Sequence, residues 1–393
     1  MRRTPVGLSW PAAVVTGVGL VVGLLCVTVG GIPIDAAVYR AAGQAILAHP
    51  SSLYDLPSGQ LPFTYPPFAA LALLPLALLP VTLGIPLLSA VSMLALYRTI
   101  RLTVRQLPAL VAWDTGWVAA VATVASLVLE PVWRTLTFGQ VDLLVMWLVV
   151  EGTLGHSRAR GWLVGLAAGV KLTPAVMAAY VLSRHKWKAL ARMGSAFLAT
   201  VAVGLLTLGP AAVGYWSSAL PDVSRVGSVG DVDNQSIEGA LWRLLGPGGS
   251  YAAWLALVVL AALVSWQALA AYARDDDRIR GVVTCALFGL LASPISWTHH
   301  WVWVVPLLLV LVAEVRGGEG RRAGAVLAAA WLVATATSLV WLLTRVHGLT
   351  GPFVTVASDT YTILGIATLL WLHQVSRRPS GTRAAPSESV SRT

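Results

Sequence analysis

The sequence predicts an all-α polytopic membrane protein. Of its 393 residues, 57% are hydrophobic and only 11% are charged, which leaves too little polar surface for a water-soluble domain. The apolar residues fall into separate runs of about 20, the length of a membrane-spanning helix. The net charge of +10 is scattered singly between these runs, so it indicates membrane topology rather than nucleic-acid binding.

About ten apolar runs are long enough to cross a bilayer. The first, roughly Leu8 to Gly30, is longer than the apolar part of a signal peptide, and we expect an uncleaved span. The other predicted spans lie near 80–97, 112–130, 139–155, 189–210, 252–273, 279–296, 299–315, 323–345 and 358–374.

Residues 161–183 are also apolar, but they contain Lys171 and Pro174 near the middle, and basic residues flank both ends. If both flanks lie on one side, the segment is a hairpin of two short helices bent between Lys171 and Pro174. The predicted total is then about 12 membrane segments. A cation at that depth needs an anionic partner, either a protein carboxylate or a ligand phosphate.

The distribution of basic residues predicts the orientation. With the N-terminus inside, all but six of the 27 Lys and Arg residues fall in inside loops, as the positive-inside rule requires. We therefore expect cytoplasmic termini in a cell (inner) membrane protein, with a single transmembrane domain over 1–376 and a disordered tail over 377–393. The six exceptions are Arg40, Arg134, Lys171, Arg225, Arg243 and Arg345.

Two outer loops, about 31–66 and 211–250, are long enough to carry function. In the first, the apolar residues of DAAVYRAAGQAILA recur at helical spacing beside Tyr39, Arg40 and Gln44, which predicts an amphipathic helix at the outer interface. The prolines of FTYPPFAALALLPLALLP predict short, broken helices at the membrane edge.

Asp35 stands just beyond the outer end of the first span, with no other acid before Asp55. One explanation is structural, because Asp is a favoured N-cap and helix N-termini attract negative charge. The other is catalytic, since a carboxylate held at a helix start and partly desolvated is suited to be a general base. The two explanations are compatible.

The segment SPISWTHHWVW puts two adjacent histidines at the outer end of a span. An interfacial aromatic belt is the ordinary explanation for Trp301 and Trp303, whereas ionisable groups at a membrane boundary tend to mark sites. His299 and His300 would point about 100° apart on a helix, so we expect at most one to face the site. No HxxxH or ExxH pattern appears, so we predict no metal site and favour a proton or phosphate partner.

Two further polar groups have open interpretations. The cluster in LEPVWRTLTFGQVDLL is either an internal ion-pair network or the partner set of Lys171. The NQS sequence matches a sugar-acceptor sequon, but its amides could equally hydrogen-bond a polar ligand. These residues are Glu130, Arg134, Gln140, Asp142, Asn234, Gln235 and Ser236.

The chain resembles glycosyltransferase family 87. PIDAAVYRAAGQAILA, LPFTYPPFAALALLPLALLP, FGQVD, GLAAGVKLTP, NQSIEGALWRLLG and SPISWTHHWVW occur in that family's order, from about residue 30 to 315. The resemblance implies a GT-C fold and transfer of mannose from polyprenol-phosphate-mannose. SPISWTHHWVW is most similar to the members that add the fifth, α-1,2-linked mannose to phosphatidylinositol mannosides.

The resemblance also implies site residues. Asp35 would be the catalytic base of an inverting reaction, His299 would complete the site, and the donor phosphate would lie near the periplasmic surface. One departure from the family is Asp142, where the family more often has Asn. Its negative charge opposes direct contact of this residue with the donor phosphate. The donor- and acceptor-binding candidates are Arg40, Tyr65, Gln140, Lys171, Asn234, Gln235, Trp297 and His300.

The alternative function is a transporter or flippase for a lipid-linked sugar. Its polar residues would line a path through the membrane, but the candidates lie at one face and the inner halves of the spans are almost purely apolar. We therefore expect an enzyme. We expect it to act as a monomer on a lipid-linked donor and a glycolipid acceptor, with no cofactor and no nucleic acid.

Overall fold

The computed structural model describes residues 9–54, 61–110, 114–155, 160–317, 321–345 and 356–378. Asp55 and most of the predicted tail lie outside these ranges. Within them every regular element is a helix, and the one extended pairing is an isolated bridge between Asn234 and Trp297. The all-α class is confirmed.

The helices alternate between long spans and short pieces. The first ten are α1 Trp10–Gly30, α2 Ile34–Ala48, α3 Pro67–Ala72, α4 Leu74–Leu78, α5 Val81–Val104, α6 Thr115–Ala125, α7 Glu130–Phe138, α8 Asp142–Leu154, α9 Trp162–Val170 and α10 Met177–Ser183. The rest are α11 Trp187–Leu208, α12 Pro210–Gly214, α13 Ile237–Leu245, α14 Pro247–Arg274, α15 Arg278–Ala292, α16 Val304–Gly317, α17 Arg321–Ala336, α18 Leu339–Arg345 and α19 Thr360–Ser376.

Five described helices are long and apolar enough to cross a membrane, which supports the polytopic prediction. A sixth candidate, Thr115–Val128 with Glu130–Phe138, bends by 81°. The five are Trp10–Gly30, Val81–Val104, Trp187–Leu208, Ser250–Arg274 and Thr298–Gly317.

Other predicted spans are shorter than expected. Helix α8 has 13 residues and covers about 20 Å at 1.5 Å per residue, less than the roughly 30 Å of a hydrocarbon core. The predicted span at 323–345 is divided into α17 and α18 by Ser338, whose φ is 51°. The total of about 12 segments therefore stays a prediction.

The predicted hairpin at 161–183 is confirmed. Helices α9 and α10 are joined by a 3-10 turn over Thr173–Val176, and Lys171 lies just before that turn. Gly161, at the start of α9, has a φ of 85°, and a Cβ there would lie 2.4 Å from the Ala189 carbonyl oxygen of α11. Both ends of the hairpin thus lie beside the N-terminus of α11, and Lys171 lies at its tip.

Trp301 is fully buried, so the interfacial-belt prediction is wrong for this residue. Its ring packs against Trp331 and Tyr361, with centroids 5.6 and 5.9 Å away. Gly365 provides the room, because a Cβ there would lie 2.7 Å from the Trp301 ring. The aromatic residue is a core residue that anchors the SPISWTHHWVW segment.

Candidate active site

A cavity of about 890 Å³ lies where the start of α2, the end of α7, the hairpin tip and the segment before α16 meet. Its wall is built from the ends of elements rather than from their middles, so the side chains come from distant parts of the sequence. The predicted site residues that line it are Asp35, Tyr65, Gln140, Lys171, Trp297, His299 and His300.

Asp35 lies in the first turn of α2, but it is not the N-cap. The cap position is Pro33, and no side chain caps the helix, so the N-cap explanation is wrong, although Asp35 is an acid in the first turn, where the helix N-terminus favours negative charge. The carboxyl group lies outside the membrane-spanning helices and faces the cavity. Burial raises its pKa to about 7; Asp142 also raises it, while Lys171 and a hydrogen bond from Gln140 lower it. A carboxylate with a pKa near neutrality is matched to proton transfer.

A hydrogen-bonded set holds the wall beside Asp35. Tyr39 donates its hydroxyl proton to Gln140 Oε1 at 2.8 Å, and Gln140 Nε2 donates to the Tyr65 hydroxyl at 2.6 Å. The sequence interpretation missed Tyr39, which does not line the cavity but hydrogen-bonds two residues that do, Tyr65 and Gln140. It follows Asp35 by four residues on one helix face, and that spacing was the available signal.

Lys171 has a protein carboxylate as its partner. Its Nζ lies 2.5 Å from Asp142 Oδ1, and both side chains are about nine-tenths buried. Asp142 is the first residue of α8, so this short helix begins beside the cavity and brings its acid to Lys171 at the hairpin tip. Asp142 Oδ2 has no hydrogen-bond partner among the described residues and lies 4.0 Å from His299 Nε2.

Both histidines line the cavity, so the expectation that at most one faces the site is wrong. They lie in a 3-10 turn, Thr298–Trp303, that is interrupted at Trp301. The two ring planes stand at 88° to each other with their centroids 4.7 Å apart, and both rings line the cavity. Neither ring nitrogen of His299 has a hydrogen-bond partner in the described structure, so a ligand or water is needed there.

Asp142, His299 and His300 together have the donor types of a metal site. Their ligand atoms lie within 4.8 Å of one another, a group that the sequence patterns did not indicate. Lys171 already compensates the charge of Asp142, which opposes a second cation at the same carboxylate. The absence of a metal cofactor stays a prediction.

Three predicted binding residues do not line this cavity and form hydrogen bonds within the protein instead; their role in binding stays a prediction. Arg40 donates to the carbonyl oxygens of Leu76 and Leu79, the latter at 2.7 Å, at the end of α4. Asn234 and Gln235 are wholly buried. Buried amides take the nearest backbone partners because an unsatisfied polar group costs free energy.

Asn234 and Gln235 fasten the second outer loop to the histidine segment. Asn234 Oδ1 accepts from the Ser296 N–H at 2.8 Å, and the Gln235 N–H donates to the Ser296 carbonyl at 2.8 Å. Gln235 Nε2 also donates to the Ser358 carbonyl at 2.9 Å. These amides position Trp297 and His299 rather than contact the cavity.

The network interpretation holds for Glu130 and Arg134. Arg134 pairs with Glu130 at 3.2 Å and with Asp233 at 3.1 Å, and Asp233 accepts from the Thr298 hydroxyl at 2.6 Å. Asp233 also lines the cavity. The network therefore joins α7, the second outer loop and the histidine segment behind the site.

These features define a class of protein. The protein is a helical membrane protein with a cavity at one end, and a carboxyl group with a pKa near 7, a Lys–Asp pair and two histidines surround that cavity. These groups suit transfer chemistry on a membrane-bound substrate. The chain belongs to glycosyltransferase family 87, whose sequence profile matches residues 63–294.

Named relatives extend the match to most of the chain. The polyprenol-phosphate-mannose-dependent alpha-(1-2)-phosphatidylinositol pentamannoside mannosyltransferase of Mycobacterium tuberculosis is 38% identical over 86% of this chain and 80% of the relative. That of Mycolicibacterium smegmatis is 35% identical over 88% of this chain and 86% of its own. A phosphatidylinositol mannoside mannosyltransferase of Mycolicibacterium smegmatis is 33% identical over 70% and 69%. No solved structure matches the chain.

Proposed function

We propose that this glycosyltransferase moves mannose from polyprenol-phosphate-mannose to a phosphatidylinositol mannoside and forms an α-1,2 linkage. The observation that carries the proposal is the placement of Asp35 and Lys171 on the walls of one cavity. One supplies a base and the other a cation for a phosphate. The relatives named for this reaction support the choice of donor and acceptor.

In the proposed mechanism, an acceptor hydroxyl oxygen attacks the anomeric carbon of a β-mannosyl phospholipid. Asp35 takes the hydroxyl proton as the new C–O bond forms. The bond between the anomeric carbon and the phosphate oxygen breaks, and its electron pair stays on the leaving polyprenyl phosphate. Attack from the opposite face inverts the configuration, so a β donor yields an α product.

The leaving phosphate gains negative charge, and Lys171 is the cation placed to stabilise it. A ring N–H of His299 or His300 would donate a further hydrogen bond to the phosphate, and the ring nitrogens of His299 have no hydrogen-bond partner among the described residues. Lys171 already pairs with Asp142, so the phosphate and the Asp142 carboxylate would share its ammonium group.

The dimensions and rim of the cavity fit lipid-carried sugars. A volume of about 890 Å³ is within the usual range for a ligand pocket. Exposed Ile34, Leu61 and Leu220 are among its lining residues, and apolar side chains at the mouth suit lipid chains that remain in the bilayer. We propose that this end faces the periplasm, in a GT-C fold, since the sequence places the basic loops at the other end.

The direct test is transfer by the purified full-length protein. Given polyprenol-phosphate-mannose and a phosphatidylinositol mannoside, it should produce an acceptor one mannose larger with a 1,2 linkage, measured by mass spectrometry and α-mannosidase digestion. A nucleotide-activated mannose is the matched control donor and should give no product. Product from the nucleotide donor alone would contradict the proposed donor.

The same assay tests the proposal that no metal cofactor takes part. Lys171 supplies the positive charge at Asp142, so excess EDTA should leave the rate unchanged. If EDTA abolished transfer and an added divalent cation restored it, Asp142, His299 and His300 would instead be assigned as metal ligands.

The pH dependence follows from the pKa of Asp35, which burial raises to about 7. The base acts only when deprotonated, so kcat/KM should rise with pH through about 7 and fall roughly tenfold for each unit below it. Asp142→Asn removes a charge that raises this pKa and leaves Lys171, which lowers it. The variant should therefore move the rising limb to lower pH. A limb that stays in place or moves upward would contradict the assignment.

A further inference from the structure

We propose that the end of the bundle opposite Asp35 holds a binding site for the phosphate headgroup of an anionic lipid. A second cavity, of about 660 Å³, opens there between the ends of α8, α9, α10, α11 and α15. One carboxylate, that of Asp276, faces six cationic side chains in its lining. The cations are Arg160, Arg184, Lys186, Lys188, Arg192 and Arg278.

The helices that connect the two cavities show that they lie at opposite ends. Helix α8 begins at Asp142 beside the first cavity and ends near Thr153, which lines the second. Helix α11 begins at Trp187 in the second cavity, and Tyr215 soon after its end lines the first. Helix α11 has 22 residues and spans about 33 Å, whereas the 13 residues of α8 span about 20 Å, so the two cavities lie at opposite ends of these helices.

The cationic cavity contains fixed donors rather than only mobile surface charges. The Arg184 side chain is 9% exposed and pairs with Asp276, but its Nη1 is buried without a hydrogen-bond partner in the described part of the chain. Arg160 Nε donates to the Gly155 carbonyl at 2.5 Å, and Arg278 donates to the Thr153 carbonyl. A buried guanidinium N–H without an acceptor calls for a ligand oxygen.

The position of the cavity favours a lipid over a dissolved anion. Trp187 lines the cavity and is 62% exposed at the start of the membrane-spanning helix α11, and Trp162 is exposed at the start of α9. Tryptophans prefer the level of the lipid headgroups. Basic pockets between membrane helices at that level bind anionic headgroups, and guanidinium groups hold phosphate by paired hydrogen bonds.

Native mass spectrometry of the full-length protein with phosphatidylglycerol tests the site. The triple variant Lys186→Gln, Lys188→Gln, Arg192→Gln changes exposed cavity residues, so it should fold normally. Each lost cation should weaken lipid binding about fivefold. The control is Arg316→Gln, Arg321→Gln, Arg322→Gln, which removes the same charge from exposed positions outside the cavity and should bind like the wild type.

The outcomes separate the sources of phosphate. Binding of phosphatidylglycerol but not of phosphatidylcholine, resistant to millimolar inorganic phosphate, supports the lipid site. Equal displacement by inorganic phosphate would show a site for the free anion, and an equal loss in the control variant would show unspecific charge attraction. Either result overturns the proposal. Mannose transfer is not the readout, so this test is independent of the proposed function.

Discussion

Asp35→Asn is expected to lower mannose transfer by about 10²–10⁴-fold, the usual contribution of a general base. The amide keeps the shape of the side chain but cannot accept the hydroxyl proton. Asp35 makes no cap hydrogen bond that the fold would lose, so expression and thermal stability should stay close to those of the wild type. Transfer rates at saturating donor and acceptor, with matched protein amounts, measure the effect.

Donor binding separates the catalytic role of Asp35 from a structural one. Polyprenol-phosphate-mannose should bind the variant about as well as the wild type, because Lys171 remains. Glu238→Gln is the matched control, since it removes an acid in the second outer loop region that does not line the cavity, and its transfer rate should not change. Unreduced transfer by Asp35→Asn would remove Asp35 as the base.

Lys171→Gln is expected to cause two losses that a second substitution separates. It leaves the buried Asp142 carboxylate without its partner at 2.5 Å, and breaking a buried pair in this way typically costs about 3–5 kcal/mol of stability. It also removes the cation proposed for the leaving phosphate, which should lower the rate by about 10²–10³-fold. Thermal unfolding and transfer are measured on the same preparations.

The double variant Lys171→Gln, Asp142→Asn removes the unpaired charge as well. Its thermal stability should return toward that of the wild type, while its transfer rate stays about 10²–10³-fold lower because the phosphate still lacks its cation. Asp142→Asn alone is the control and keeps the ammonium. Full recovery of transfer in the double variant would show that Lys171 serves only to neutralise Asp142.

Periodicity and charge predicted the elements around the site better than they predicted its wall. Helix α2 and the hairpin tip at Lys171 follow from local patterns, since helical spacing and paired basic flanks act within a few turns of chain. The break at Ser338 and the short α8 were not predicted. A run of apolar residues reports hydrophobicity, and the same run suits one long helix or two short ones.

The choice among polar residues required the tertiary structure. Asn234 and Gln235 look like ligand contacts in a sequence, but their amides are satisfied by Ser296 and Ser358. Arg40 was a candidate for phosphate, yet the end of α4 supplies carbonyl acceptors at closer range. A donor binds the nearest acceptor, and the nearest acceptor is set by packing.

By itself the sequence determined the class of membrane protein, the concentration of basic residues in the loops on one side of the predicted spans, and the residue types that the chemistry requires. These residues include Asp35, Lys171 and the histidine pair. Those properties depend on composition and on spacing within single segments. Only the tertiary structure decided that Asp142 pairs with Lys171, that both histidines reach the cavity, and that Nη1 of Arg184 at the other end has no hydrogen-bond partner among the described residues. Such facts depend on distances between segments far apart in the chain, which no local pattern encodes.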